Sequence, residues 1–281
     1  MKVIKYFLLI VIFLFSEAAY SQGNLPCKKF HETKTSIGTV IEKMTGVNFL
    51  KIRAAEIYTE RYIKKQSNNK VKISIKAKSA KALFNGEFTQ IKASADKITY
   101  ENFSITDFKA QTMTSNNIVI YDKNSEKCYF PKDLPIAFST VITNEDLTKI
   151  TNDYNYKKNS SFKVPLLGMN IFKVEAENWK IENSKLKIIF GAHSPFLNTK
   201  IKLTTALNVK DGEFVFTNSD EYNNKLNRLL TSLNFYNPFK YMVKLAENTT
   251  GCIEIKDVKV VKDKIYLKGI FLIPKNCDIT K

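Results

Sequence analysis

The chain has 281 residues, including 20 Phe and 13 Tyr, and a formal net charge of +17. This length can bury a sizeable core, and the aromatic content excludes wholesale disorder. Nine Gly and seven Pro exclude a collagen-like or low-complexity chain. A positive charge of this size favours anionic partners, such as lipid head groups, acidic polymers or nucleic acid.

Residues 1–21 are predicted to form a secretory signal peptide. Lys2 and Lys5 precede an apolar run over 6–15, and small residues lead to Ser21, after which we expect cleavage. The run is half of the roughly 20 residues that a membrane-spanning helix needs, so an uncleaved anchor is disfavoured. We therefore expect an exported protein of the periplasm or cell envelope. Export makes nucleic acid the least expected partner.

Disulfides are expected because an exported chain with four cysteines usually pairs them. Cys252 and Cys277 flank a predicted C-terminal hairpin and are the preferred pair, which leaves Cys27 and Cys128 for the second. Four cysteines allow three connectivities, and the sequence does not choose among them. A metal site is not expected, because there is no Cys-x-x-Cys and the two His lie far apart.

The segment 22–69 is predicted to be a helical lead-in. Thr35-Ser36 can cap a first helix that ends near Gly46. A second helical pattern ends at 67–69 and has its apolar positions at Leu50, Ala54, Ile57, Tyr58 and Tyr62. Docking of this helix onto a sheet is the favoured interpretation. Attachment to a membrane surface is the alternative, because the stretch is basic and amphipathic.

Apolar residues recur with a period of two over 81–147. Ile91, Ala93 and Ala95 alternate with polar residues, and turn residues interrupt the pattern at short intervals. Alternate side chains of a strand point to opposite faces of its sheet. The pattern therefore predicts an antiparallel meander with one apolar face and one basic, hydroxyl-rich face.

The second half of the chain repeats this arrangement of strands followed by a helix. Alternation resumes over 174–190 and 201–216, with a hairpin signal at Asp211-Gly212. A helical pattern begins at 219–221 and ends near Asn237-Pro238. The last predicted unit is a hairpin that turns at Lys262-Asp263.

Motifs for catalysis are missing from the sequence. There is no Gly-x-Ser-x-Gly elbow and no Gly-rich phosphate loop. His193 falls in a predicted turn without an acidic third member. Glu175 and Glu177 share one strand face, where solvated carboxylates are commoner than a catalytic pair. We therefore expect a protein that is not an enzyme and needs no cofactor.

An ordered series of short motifs resembles a known bacterial family. The first is Ala82-Leu83-Phe84-Asn85-Gly86-Glu87-Phe88, continued by Ile91, Ala93, Ala95, Ile98, Tyr100, Phe103 and Ile105. The later ones are Leu134-Pro135, Glu145-Asp146-Leu147 and Asp211-Gly212-Glu213-Phe214. Together they resemble the LmeA-like phospholipid-binding proteins, and the cyanobacterial branch most. The resemblance implies a TULIP-like domain over 70–281 that binds phospholipid and serves cell-envelope assembly.

The sequence predicts an α+β fold in which a long curved antiparallel sheet wraps around one or two amphipathic helices. A sheet closed on an apolar helix can enclose acyl chains, and each buried methylene contributes about 0.8 kcal/mol. The candidate cavity residues are Leu83, Phe84, Phe88, Ile91, Ile98, Phe103 and Ile105 of the sheet segment and Leu226, Leu229, Leu230 and Leu233 of the helix.

Two functions remain open on the sequence. The first is a phospholipid-binding or lipid-shuttling protein whose partners are an anionic phospholipid and the membrane surface. The second is a secreted structural or adhesion domain whose basic surface binds acidic envelope polymers. The first requires a continuous cavity for acyl chains, whereas the second requires a filled interior.

Overall fold

The computed structural model describes residues 46–100, 103–122, 127–166, 169–194, 198–217, 237–249 and 252–276. The predicted signal peptide and most of the predicted helix that begins at 219–221 lie outside these ranges. Within them, antiparallel strands predominate and helices account for a smaller share, which confirms the α+β class. None of the described helices is long and apolar enough to cross a membrane.

The described elements follow one another in chain order. They are α1 Gly46–Ser67, β1 Lys72–Lys76, α2 Ala80–Phe84, β2 Glu87–Phe88, β3 Gln90–Tyr100, β4 Phe103–Thr112, β5 Asn117–Ile118, β6 Ile120–Asp122, β7 Lys127–Tyr129, β8 Leu134–Thr143, α3 Asn144–Asn152, α4 Tyr154–Ser160, β9 Phe162–Leu166, β10 Met169–Glu182, β11 Lys185–His193, β12 Asn198–Lys210, β13 Glu213–Thr217, α5 Pro238–Thr249, β14 Cys252–Val261 and β15 Lys264–Ile273.

The larger sheet has six strands in the order β1-β3-β4-β8-β15-β14. The meander predicted over 81–147 supplies β3, β4 and β8. The C-terminal hairpin completes the sheet, because β15 pairs with β8 along its whole length, from Lys264 opposite Thr143 to Ile273 opposite Leu134. Strands far apart in the sequence thus lie side by side.

A second sheet has five strands in the order β13-β12-β11-β10-β9, and two short ribbons pair β2 with β5 and β6 with β7. Its hairpin signal is confirmed: Asp211 and Gly212 have φ of +56° and +82°, the left-handed backbone that a tight two-residue turn needs. Lys262 in the last hairpin, at φ +55°, has the same conformation. Turn chemistry therefore fixes the register of both hairpins.

Two apolar clusters hold these elements together. The first apolar cluster lies between α1, the β1 end of the larger sheet and the short ribbons; its buried members are Ile52, Ala55, Ile63, Val71, Ile73, Ile75, Ala77, Ala80, Leu83, Phe88, Ile91, Ala93, Ala95, Ile98, Ala110, Val119, Cys128, Phe130, Leu134, Ile136 and Ile273. The second apolar cluster joins the five-stranded sheet to the helices α3, α4 and α5 and to the other end of the larger sheet; its buried members are Ile142, Leu147, Ile150, Tyr156, Ala176, Trp179, Ile181, Leu186, Ile188, Phe190, Leu203, Leu207, Phe239, Tyr241, Met242, Ile265 and Leu267.

The helix α3 begins at Asn144, directly after strand β8. Thr143 is its N-cap: the hydroxyl accepts from the amide of Asp146, and the Asp146 side chain accepts from the amide of Thr143. This is a capping box, which satisfies two amide groups at once. It ends at Asn152, and Asp153 caps a separate helix, α4.

Candidate functional site

The structure brings the sequence-predicted sheet residues together. Leu83, Phe88, Ile91 and Ile98 are all buried members of the first apolar cluster. Phe84 and Ile105 are partly buried and pack against it. These side chains come from a helix, a short ribbon and two strands of the larger sheet. The cluster is therefore formed by tertiary contacts between several elements and not by the face of one strand.

The side chains of the remaining predicted cavity residues lie outside the part of the chain that the structure describes. Phe103 pairs with Tyr100 in the register of β3 and β4, and its side chain lies outside the described residues. The four helical leucines, Leu226, Leu229, Leu230 and Leu233, also lie outside them. Their part in a cavity stays a prediction.

The helix that the structure does place on the first apolar cluster is α1. Its buried stripe is Ile52, Ala55, Thr59 and Ile63, which recur at the spacing of one helix face. Docking onto the sheet is thus confirmed for this helix. The predicted stripe was wrong in position, because Leu50 and Tyr58 are exposed on the opposite side. Apolar periodicity does not indicate the docked face, because that face includes the buried polar residues Glu56 and Thr59.

Two carboxylates of α1 bind the edge strand directly. The amide of Ile75 donates to Glu56 Oε1 at 2.7 Å, and the amide of Ile73 donates to Glu60 Oε1 at 2.9 Å. β1 is the outermost strand on this side of the larger sheet, so its outer amides would otherwise face solvent. Arg53 donates to Glu56 at 2.7 Å, and this hydrogen bond raises the pKa of Arg53. The helix therefore closes one side of the first apolar cluster.

The motif Asn85-Gly86 makes the turn that brings Leu83 and Phe88 to the same cluster. The Ser79 hydroxyl accepts from Ala82 at the start of α2, and the Gly86 amide donates to Leu83 at 2.9 Å. Gly86 has φ +86°, and a Cβ on it would overlap the carbonyl oxygen of Val119. Only glycine fits this close approach of two chain segments.

Asp146 of the Glu145-Asp146-Leu147 motif has a structural role. It is fully buried, and its carboxylate accepts from the hydroxyls of Ser104, Thr106 and Thr143 and from the amide of Thr143. A buried carboxylate needs such a set of donors to be tolerated. Asp146 therefore joins β4, the end of β8 and the start of α3.

A polar groove of about 580 Å³ lies where the two sheets meet; it is lined by Asn144, Lys180, Ile181, Glu182, Asn183, Ser184, Lys262 and Asp263. The hairpin tips bind each other there: the Ser184 amide donates to the Lys262 carbonyl at 2.9 Å, and the Lys262 amide donates to the Ser184 hydroxyl at 2.9 Å. The hydrogen bond from Lys187, with the nearby charge of Lys180, lowers the pKa of Glu182. The groove is therefore a junction at which hydrogen bonds between hairpin tips connect the two sheets.

Sequence reasoning considered His193 and the carboxylates Glu175 and Glu177 separately, and the structure places them together. His193 Nε2 lies 3.7 Å from Glu175 Oε1 and 3.5 Å from Glu177 Oε1 on the outer face of the five-stranded sheet. A Cβ on Gly191 would overlap both Glu177 and His193. Register across β10 and β11 could have found the pair. Lys173 and Lys200 bind the two carboxylates, and no described residues form a metal-binding group.

The single tryptophan and the cysteines fall in structural positions. Trp179 is 1% exposed in the second apolar cluster and meets Phe239 edge-on at 6.3 Å, so it is a core residue. Cys252 is disulfide-bonded, and Cys128 is buried in the first apolar cluster. Cys27 and Cys277 lie outside the described residues, so both pairings stay predictions.

Comparisons with known proteins add no relative: no family model matches the chain, and neither a curated protein nor a solved structure is similar to it. The resemblance to the LmeA-like family therefore stays a prediction from the quoted motifs.

Proposed function

We propose that this chain is an exported phospholipid-binding protein with a TULIP-like arrangement, in which the larger sheet and its covering helices hold acyl chains. One observation carries the proposal. Apolar residues from α2, β2, β3 and β4 gather in one cluster on one face of a six-stranded antiparallel sheet, beneath a 22-residue helix. Acyl chains need such a continuous apolar surface and little else from the protein.

The charge supports the same function. The net charge is +17, and exposed lysines such as Lys72, Lys92 and Lys109 lie on the larger sheet. Anionic head groups are attracted to such a surface, at about 1 kcal/mol for each cation near a charged membrane. The proposed cargo is therefore an anionic phospholipid, and the proposed location is the periplasm or cell envelope.

Native mass spectrometry tests the proposal on residues 22–281, purified without detergent. We expect a discrete added mass that fragments as a phospholipid. Leu230→Asp should lower the bound fraction more than Leu230→Met, because a charge is costly against acyl chains while Met conserves volume. A lipid-free mass, with no uptake from anionic vesicles, would reject lipid carriage.

One observation favours a second candidate, a structural or adhesion domain that binds acidic envelope polymers. Leu83, Phe88 and Ile91 are only 2–4% exposed, the burial that a filled core gives. In that case the cluster has no room for acyl chains and the basic surface performs the binding. A lipid-free mass together with retention of the protein on an acidic polysaccharide column would establish this second function.

A further inference from the structure

The outer face of α1 combines exposed apolar side chains with cations. Leu50 and Tyr58 are 67% and 52% exposed on the side away from the docked stripe, and Phe49, beside Leu50 near the start of the helix, is 60% exposed. Leu50, Arg61 and Lys65 recur at i, i+11 and i+15, which places them along one line of the helix. Phe49 and Leu50 thus form an apolar tip, and a basic face continues behind it.

The charge of this face is one-sided because the acids of α1 point elsewhere. The helix contains two carboxylates, Glu56 and Glu60, and both accept amides of the edge strand β1. Arg53 pairs with Glu56 at the margin of the contact. The other cations of the helix, Lys51, Arg61, Lys64 and Lys65, are all exposed. The free face of α1 therefore offers positive charge and apolar area together.

We propose that this face of α1 docks on the surface of an anionic lipid bilayer. Phe49 and Leu50 enter the boundary between head groups and acyl chains, while Arg61, Lys64 and Lys65 bind the phosphates. Positive charge alone would suit any acidic polymer. Two adjacent large apolar side chains in water favour a partner with an apolar layer beneath its charge, which a bilayer has.

The inference rests on the proposed function for its choice of a lipid partner, and it adds how the protein reaches its cargo. It requires no cavity. A protein with a filled core could dock in the same way, so the two proposals can fail independently.

Vesicle co-sedimentation of residues 22–281 provides the first test. The vesicles are phosphatidylcholine alone or phosphatidylcholine with phosphatidylglycerol. We expect binding to the anionic vesicles only, and roughly tenfold or greater weakening by Phe49→Ser/Leu50→Ser, because two large side chains leave the apolar layer. Tyr154→Ser is the matched control, since Tyr154 is 75% exposed on α4. It should bind like the natural chain.

A second variant covers the case in which the double substitution disturbs α1. Leu50→Trp adds a fluorophore at the apolar tip, whereas Trp179 is already 1% exposed and reports a constant background. We expect a blue shift of the emission with anionic vesicles and none with soluble polyglutamate. An unshifted spectrum in the presence of bound vesicles would overturn the proposal.

The remaining outcomes are also decisive. Equal vesicle binding by Phe49→Ser/Leu50→Ser and the natural chain would overturn bilayer docking, as would tight binding to polyglutamate that matches binding to vesicles. Native mass spectrometry of the same double variant separates the proposals. A variant that still carries lipid but no longer sediments with vesicles would support both the lipid-binding function and docking through α1.

Discussion

Glu145 and Asp146 are neighbours with opposite environments. Asp146 is fully buried and satisfied by three hydroxyls and an amide, whereas the Glu145 side chain is 63% exposed between Lys97 and Lys149. The first carboxylate fixes the start of α3 in place. The second forms ion pairs at the surface, one of them to a different element, β3. The difference comes from their positions on the first turn of the helix: the Asp146 carboxylate reaches the N-cap amide, whereas the Glu145 carboxylate, one residue earlier, is at the surface.

The Glu145 ion pairs predict a pH dependence of stability. The hydrogen bond from Lys97, then that from Lys149, lowers the pKa of Glu145 from 4.5 to about 2. A carboxylate with a lowered folded pKa stabilises the fold above its unfolded pKa and loses that contribution as the pH falls through its folded pKa. The melting temperature of Glu145→Gln should therefore lie below that of the natural chain above pH 4.5, and the two should converge near pH 2.

A cycle with the lysines isolates this effect. In a Lys97→Met/Lys149→Met background, Glu145→Gln should change the melting temperature little at any of these pH values, because the partners are gone. A difference that persists at pH 2 would mean that Glu145 acts through packing or capping instead.

Gly86 and Gly212 form a matched pair for backbone strain. Both have positive φ, +86° and +82°, but only a Cβ on Gly86 would meet a backbone atom, the Val119 carbonyl oxygen. At Gly212 the nearest atom is Glu254 Cγ at 3.3 Å, in a flexible side chain. We expect Gly86→Ala to lower the free energy of unfolding by about 2–4 kcal/mol and Gly212→Ala by about 1 kcal/mol. Urea unfolding measures both, and equal losses would show that the Val119 approach relaxes freely.

At the scale of elements, α1 protects an edge strand with side chains rather than with a further strand. Its carboxylates accept hydrogen bonds from the outer amides of β1, which would otherwise be unpaired at the sheet edge. Because these hydrogen bonds hold the two acids against the strand, the outer face of the helix is left basic. Stability of the sheet edge and the charge of the proposed docking face thus have one cause.

Removal of the Glu56 carboxylate tests whether the edge strand β1 depends on its hydrogen bonds to α1. Glu56→Ala leaves the buried amide of Ile75 without its acceptor, so we expect a loss of about 1–3 kcal/mol and faster hydrogen exchange at Ile75. Glu87→Ala is the control, because Glu87 is exposed on β2. Unchanged exchange at Ile75 after Glu56→Ala would mean that the amide finds another partner.

Local patterns predicted most of the elements, but not their neighbours. The period of two located β3, β8 and the final hairpin, and Asp211-Gly212 located its turn, because these signals depend on a few adjacent residues. The pairing of β15 with β8 and the division into two sheets depend on contacts between distant segments, which one sequence does not encode visibly. For the candidate site, the sequence found the apolar sheet residues but chose the wrong face of α1. Its buried Glu56 and Thr59 look like surface residues until their partners are known.

At the scale of the whole molecule, the two apolar clusters share strands. β8 gives Leu134 and Ile136 to the first cluster and Ile142 to the second. β15 gives Ile273 to the first, and Ile265 and Leu267 to the second. Loss of packing in one cluster therefore disturbs β8 and β15, and the same two strands also pack in the other cluster. The larger sheet is the mechanical link between the two halves.

This sharing predicts one cooperative unfolding transition. Ile63→Ala removes a side chain of the first cluster and Leu186→Ala one of the second, and both residues are at most 1% exposed. Each should cost about 2–5 kcal/mol, because a large buried side chain is lost and a cavity is left. In differential scanning calorimetry both variants should move the same single transition to lower temperature, with the calorimetric and van't Hoff enthalpies equal. Two resolved transitions, each shifted by only one variant, would show that the five-stranded sheet unfolds independently and that β8 and β15 do not transmit the loss between the clusters.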